Sequence, residues 1–297
     1  MKKTLMILCI FVLILTACVK IDSSEIYLSQ DNIKKYTKFI NKMLTITNDL
    51  VDSFHEIKFI NTDVLQLYPI AVVNDNKFFI FDLDEKGESY EFKTAFHTNM
   101  NISKGILAAF PLEHYDSKIV AVVSPSAFDN LESRIVIFHE FVHCYQFNTV
   151  EMKIKNTLDI SLEAVKNQDW MWELNHPFPY NDDLFKILLL TLGVVNKNSE
   201  VDNNIIKFHK EMKKQLTKID FEYMIWQEWK EGYARLIENK IRVYYGLKPQ
   251  VTQMNVANER IIFYGLGERY IERIISQHPE YFYDIEKLFY SMYNIEL

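Results

Sequence analysis

Cysteine is scarce in this 297-residue chain, and its three copies exclude a disulfide framework. Cys9 and Cys18 fall within the first eighteen residues, so Cys144 alone is left for the remainder, which has to be held by core packing. Glycine and proline are rare at seven each, which points to long regular elements. There is no excess of positive charge: 33 basic residues against 40 acidic give a net charge of -7, without the basic face that a nucleic-acid binder needs. No apolar run reaches the ~20 residues of a membrane-spanning helix. Repeats and low-complexity linkers are also lacking. What is present is a globular composition, 48% hydrophobic and 25% charged, with its 21 Phe and 17 Tyr spread along the whole chain as core residues are.

The N-terminus reads as an export signal. Lys2 and Lys3 precede the apolar stretch Leu5 to Leu15, and Leu15-Thr16-Ala17-Cys18 closes it with small residues. That ending resembles the bacterial lipobox. The resemblance implies a signal peptide over residues 1–17, lipidation of Cys18 as the first mature residue, and a short tether over residues 18–30. The expected location is a bacterial cell membrane, lipid-anchored and facing away from the cytoplasm. A diacylated cysteine supplies the two chains that stable anchoring takes.

His139-Glu140-Phe141-Val142-His143 carries the most chemistry. At i and i+4 the two histidines share one helix face, so both rings can reach a single Zn²⁺ at about 2.0 to 2.1 Å. Glu140 is rotated by one residue, away from the metal but placed to touch a water beside it, which is a general-base position. The plainer alternative is an ordinary helix with two satisfied histidines. By composition an H-E-x-x-H arises in roughly 1 to 2% of such chains. The flanks argue further, since Ile135-Val136-Ile137-Phe138 and Phe141, Val142, Cys144 and Tyr145 bury the helix on most sides. Polar groups inside such a helix need a partner to offset desolvation, and a divalent metal is one.

A catalytic zinc site has three protein ligands and an open position. The segment Trp229-Lys230-Glu231-Gly232-Tyr233-Ala234-Arg235-Leu236-Ile237-Glu238, paired with the upstream Phe138 to Gln146, resembles the gluzincin metallopeptidases. In that family the glutamate before the glycine completes the zinc site. The resemblance implies His139, His143 and Glu231 as ligands of one Zn²⁺, Glu140 as base, and hydrolysis of a peptide or protein substrate. The 87 residues between His143 and Glu231 imply an inserted helical segment. Glu228 and Glu238 compete with Glu231. Glu238, seven residues on along the same face, suits a carboxylate that orients a ligating histidine. For Glu231 itself the alternative is an exposed i,i+4 ion pair with Arg235. Families of this type commonly use a tyrosine to stabilise the oxyanion; Tyr233, Tyr264 and Tyr270 are available, and Tyr264 is favoured for its neighbours Gly265 and Gly267. His55, His97, His114, His176, His209 and His278 have no comparable neighbours and read as structural or exposed.

Periodicity predicts a helix over residues 32–57, strands over 68–73, 77–83, 91–96 and 118–124, and a metal helix over 131–147 capped from Ser126 to Asn130. Helices follow over 182–195, 201–219, 221–245, 258–276 and 279–293, with Gly246 and Pro249 closing the Glu231 helix. The order gives an α+β, predominantly helical, zincin-like metallopeptidase fold with a small antiparallel or mixed sheet before the metal helix. One domain over residues 31–297 divides into helix and sheet (31–125), active-site helix (130–148) and helical remainder (150–297). Residues 121–124 would lie beside the cleft as a platform for an extended peptide. Two rival readings remain: a lipid-anchored binding or adhesion module without turnover, which has no need of a base at Glu140, and a structural zinc site closed by Cys144 or another side chain. Cys144 is turned about 100° from His143, as a small buried hydrophobe would be.

Replacing Cys18 by alanine is expected to leave the precursor unlipidated and uncleaved, read from the mass of the mature N-terminal peptide. A wild-type mature chain beginning anywhere but Cys18 overturns the lipobox.

Overall fold

The computed structural model describes residues 26–98, 102, 105–180, 185–186, 201–251 and 259–296. The signal, Cys18, most of the tether, Asn258 and the helix expected over residues 182–195, save Phe185 and Lys186, lie outside the described residues. The rest is α+β and mainly helical, with one small mixed sheet. No helix among the described residues is long and apolar enough to cross a membrane.

Two helices open the described chain, α1 (Gln30–Lys35) and α2 (Thr37–Ile57). One continuous helix is expected there, and the break at Tyr36 is tertiary in origin: its ring lies 5.0 Å from that of Phe79, and the Lys77 ammonium sits 5.4 Å from its centroid. The sheet follows as β1 (Ile70–Asn74), β2 (Lys77–Leu83), β3 (Tyr90–His97), β4 (Leu107–Leu112) and β5 (Lys118–Val123). Its order is β3-β2-β1-β5-β4, with β1 and β5 parallel and all other neighbours antiparallel. Asp75 and Asn76 join β1 to β2, and both take positive φ, as the two-residue turn of a hairpin requires.

Alternation fixes the register of the central strands. Ile70, Val72, Phe79, Phe81, Ala121 and Val123 face the main core with α2 and the later helices, while Ala71, Phe78, Ile80, Val120 and Val122 build a smaller core on the other face. Both faces are buried, hence the near-continuous apolar runs.

β5 is interior, so residues 121–124 have no free edge and the peptide platform expected there is corrected. The sheet's edge strands are β3 and β4, the latter an element not foreseen in the sequence. Its Pro111 sits opposite Ile119, tolerable because an edge strand need not donate on its outer side.

The helix that carries His139 and His143 is α3 (Leu131–Gln146), capped by Asn130, whose side chain accepts from the Ser133 amide at 2.9 Å. It continues through a π-helical turn, Phe147–Glu151, into α4 (Met152–Lys155). Then come α5 (Asp159–Asn167), α6 (Trp172–Asn175), α7 (Val201–Gln215), α8 (Lys218–Tyr244), α9 (Ile262–Gln277) and α10 (Ile285–Tyr293). α4 to α7 are the helical insertion between the two halves of the site. α7 stops four residues short of the expected end because Thr217 caps α8, its hydroxyl accepting from the Asp220 amide at 3.1 Å. At the other end of α8, Gly246 takes φ +72°, with Leu247 N–H on the Arg242 carbonyl at 2.8 Å and Gly246 N–H on that of Val243 at 3.0 Å.

α8 is the hub, packed against α3 on one side and α9 on another. The α8/α9 contact is made backbone to backbone. A Cβ on Gly232 would lie 2.5 Å from main-chain atoms of Gly267, and one on Gly267 would lie 2.1 Å from the Glu228 carbonyl oxygen. No side chain can yield there, so Gly267→Ala is expected to cost about 1 to 3 kcal/mol or more, measured as a lowered denaturation midpoint, and to loosen metal binding through the neighbouring Glu231. Wild-type stability in that variant would show that the helices separate freely.

Candidate metal centre

α3 is buried on nearly all sides from Ile135 onward, including His139, Glu140, His143 and Gln146. The polar groups are therefore obliged to find partners within the protein. His139 Nδ1 lies 3.1 Å from Glu238 Oε2, and since a carboxylate only accepts, Nδ1–H donates. His143 Nδ1 lies 2.8 Å from Gln146 Oε1, again an acceptor. When neutral, each ring thus turns an unprotonated Nε2 towards the same point.

Glu231 on α8 supplies the third atom. The two Nε2 atoms are 3.1 Å apart, and Glu231 Oε2 is 3.2 Å from that of His143 and 3.6 Å from that of His139. These buried residues form a group that could hold a metal ion. The fit can be tested on the triangle itself. A tetrahedral ion with bonds of about 2.0 to 2.1 Å has ligand-to-ligand edges of about 3.3 to 3.4 Å, inside the span of the three observed edges. The donor chemistry agrees, since three electron-rich atoms this close in a dry interior repel unless a cation or a shared proton lies between them.

In the metal-free protein that role falls to a proton. Burial opposes charge on His139, but hydrogen bonds to Glu231 and Glu238 and the nearby carboxylates outweigh it and raise its pKa from 6.5 to about 9. Glu231 moves the other way: burial works against its charge, yet His143, His139 and Arg260 hold its carboxyl well below the usual range. Arg260 Nη2 is 3.5 Å from Glu231 Oε1, which leaves Oε2 to the histidines. Glu238 is also lowered against its burial, by His139 and by Arg235 and Arg242.

Glu140 stands apart. Its side chain makes no hydrogen bond among the described residues, and burial raises its pKa against the pull of His143 and His139. Tyr264, on α9, does reach the site. Its ring lies nearly parallel to that of His139 with centroids 5.9 Å apart, the Arg235 guanidinium is 5.2 Å from its centroid, and burial beside the Glu231 charge pushes its pKa well up. The other two tyrosines are occupied elsewhere: Tyr233 donates to the Phe282 carbonyl at 2.6 Å, and Tyr270 to that of Met292 at 3.1 Å while stacking on His209.

The competing ligands also sort themselves. Glu228 is turned away and paired with His209 at 2.6 Å, both fully buried, so His209 has a carboxylate neighbour after all and serves structure. The ion pair offered for Glu231 with Arg235 is not made; Arg235 lies 3.6 Å from Glu238. Cys144 lies in the apolar core and outside the converging group, which removes the site closed by Cys144. Sequence reasoning missed Gln146 and Arg260, and set Arg235 against Glu231 rather than Glu238. Gln146 had a signal, its i+3 spacing from His143. Arg260 had none, because it arrives from the segment before α9.

No family model matches the chain, and no curated protein or solved structure is found to be similar to it.

Divalent-ion titration is expected to show about one equivalent bound, lost in His139→Ala and His143→Ala. Glu231→Gln is expected to weaken binding strongly, whereas Glu228→Gln, whose amide can still bond His209 Nε2, should spare the metal. Because His139 holds its extra proton up to about pH 9, binding at pH 7.5 should release about one proton, measurable by calorimetry in buffers of different ionisation enthalpy. The proton's contribution to metal-free stability is complete below pH 6.5 and lost as the pH rises through about 9. Stoichiometric metal in both histidine variants removes the site.

Proposed function

We propose that the protein is a zinc-dependent metallopeptidase of the gluzincin type, held at a membrane surface by lipid on Cys18. The observation that carries this reading is the convergence of His139 Nε2, His143 Nε2 and Glu231 Oε2, with an unbonded Glu140 beside them on α3. Two nitrogens and one carboxylate oxygen in a tetrahedral triangle suit zinc, and three protein ligands leave a fourth position for water and substrate. The small sheet followed by α3 and then by α8 is the order a zincin-like fold has.

Zinc, when bound, would lower the pKa of its water towards 7 and polarise the scissile carbonyl. The protein's own residues have separate parts. Glu140, whose pKa burial raises, takes the water's proton and passes it to the leaving amine. Tyr264 keeps its proton, because burial and the adjacent Glu231 push its pKa well up, so its hydroxyl can donate to a developing oxyanion. Glu238 and Gln146 hold the histidine rings in place. β4 ends the sheet, and an extended peptide could pair with its main chain near α3.

Glu140→Gln is expected to keep zinc and fold while cleavage of a peptide library falls by about 10² to 10⁴, the contribution of a general base. Tyr264→Phe should lower kcat with zinc content unchanged, and a chelator should abolish wild-type activity until zinc is restored. Zinc-loaded wild type that cleaves nothing in a broad library, or Glu140→Gln that cleaves as fast, returns the chain to the class of lipid-anchored binding or adhesion modules.

A further inference from the structure

Gln146 occupies a position that the reaction itself does not use. It is fully buried at the end of α3, and its amide spans two elements. Its Nε2 lies 3.2 Å from the main-chain carbonyl oxygen of Lys230, in the middle of α8, and its Oε1 lies 2.8 Å from His143 Nδ1. Lys230 immediately precedes Glu231, so one side chain touches both the second histidine and the backbone that carries the third metal-binding residue.

The polarity of this bridge is dictated. A main-chain carbonyl can only accept, so the amide nitrogen has to face Lys230 and the amide oxygen has to face His143. With an acceptor fixed against it, His143 Nδ1 has to carry a hydrogen. Its Nε2 is then left bare, 3.1 Å from His139 Nε2 and 3.2 Å from Glu231 Oε2. From this geometry we infer that Gln146 is a positioning residue that sets the tautomer of His143, locking its Nε2 lone pair into the triangle it forms with His139 and Glu231. Orientation passes from the α8 backbone to the amide, from the amide to the ring, and from the ring to the metal.

Removing the bridge has a definite consequence. An apolar residue of the same length leaves Nδ1–H buried without a partner, at a cost that favours moving the hydrogen. The other tautomer places a hydrogen on Nε2, where Glu231 Oε2 accepts it, and the lone pair needed for a metal is spent on that bond. A carboxylate at position 146 gives up the donor to the Lys230 carbonyl but still accepts from Nδ1–H, and so keeps the tautomer of the neutral ring.

The role rests on reading His139, His143 and Glu231 as a metal centre, and the test separates the two. Long-range ¹H–¹⁵N spectra of metal-free, ¹⁵N-histidine-labelled protein, with the His143 signal assigned by its loss in His143→Ala, report which ring nitrogen holds the hydrogen when the ring is neutral. Wild type and Gln146→Glu are expected to show Nδ1–H, and Gln146→Met to show Nε2–H. Competition against a chromophoric chelator is expected to give Gln146→Met a zinc affinity about 10- to 100-fold below wild type. Nε2–H in the wild type, or an unchanged tautomer and unchanged affinity in Gln146→Met, overturns the assignment. Should Gln146→Met fail to fold, the wild-type and Gln146→Glu spectra decide alone. If wild type binds no zinc while the tautomer still follows residue 146, the metal-centre reading fails and the role of Gln146 on the ring stands.

Discussion

Burying a helix that carries two histidines, a glutamate and a glutamine is the constraint on which the rest of this structure depends. α3 has almost no solvent face from Ile135 to Gln146, so water cannot satisfy those side chains. α8 does most of it. Glu238 takes His139, Glu231 faces both rings, and the carbonyl of Lys230 takes Gln146. The α3/α8 crossing is therefore set by polar matching as much as by apolar packing. An unpaired buried polar group costs about 1 to 3 kcal/mol, so any slippage of α3 along α8 breaks several such pairs together.

Serving α3 makes α8 a buried polar helix itself, and the surrounding elements answer each of its faces. Glu222 accepts from the Ile160 amide at the start of α5, and Glu228 is paired with His209 of α7. Lys230 lies between Glu151 and Glu173, with Lys155 completing a four-membered charge network beside the Trp226 ring. Burial counts against the charge on Glu173, but Lys230 and Lys155 pull its carboxyl far below its ordinary range. The insertion between the two site motifs thus has a physical use, since α4 to α7 carry counter-charges that a 27-residue buried helix otherwise lacks. On the remaining side the Gly232/Gly267 contact brings α9 close enough for Tyr264 to reach the site.

What was legible in the sequence follows from the range of the interactions involved. His139, Glu140 and His143 sit within one helical turn and a half, and the Asn130 cap is equally local, so both are written in the spacing. Glu238 could be placed relative to Glu231 because seven residues return to the same helix face. The β1/β2 hairpin was marked by two apolar strands, 68–73 and 77–83, only three residues apart. β4 was not, because Pro111 argues against a strand until the sheet order shows that this one is an edge. Nor was the break at Tyr36, where the apolar period runs on and only Phe79, more than forty residues away, explains the bend. The strand platform misplaced onto β5 shows the same limit, for a strand's position in a sheet is set by pairing that no local pattern encodes. Arg260 depends on the α8/α9 crossing, which rests on two glycines that a linear reading saw separately.

The three carboxylates of the site show how one local chemistry is divided by environment. All are glutamates and all are buried. Glu231 is held ionised by His143, His139 and Arg260, and Glu238 by His139, Arg235 and Arg242, each against the penalty of burial. Glu140 has no donor of its own among the described residues, so burial prevails and its pKa moves up. Two of the three are therefore fixed as permanent negative charges, fit to balance a cation or to orient a ring. The third is the one whose proton affinity has been brought nearer to neutrality, which is the property a group that takes and returns a proton needs. The same helix turn that sets two imidazoles towards one point leaves Glu140 unpaired beside them. The division of labour among these residues is thus a direct result of which carboxylates α8 carries and which one α3 carries.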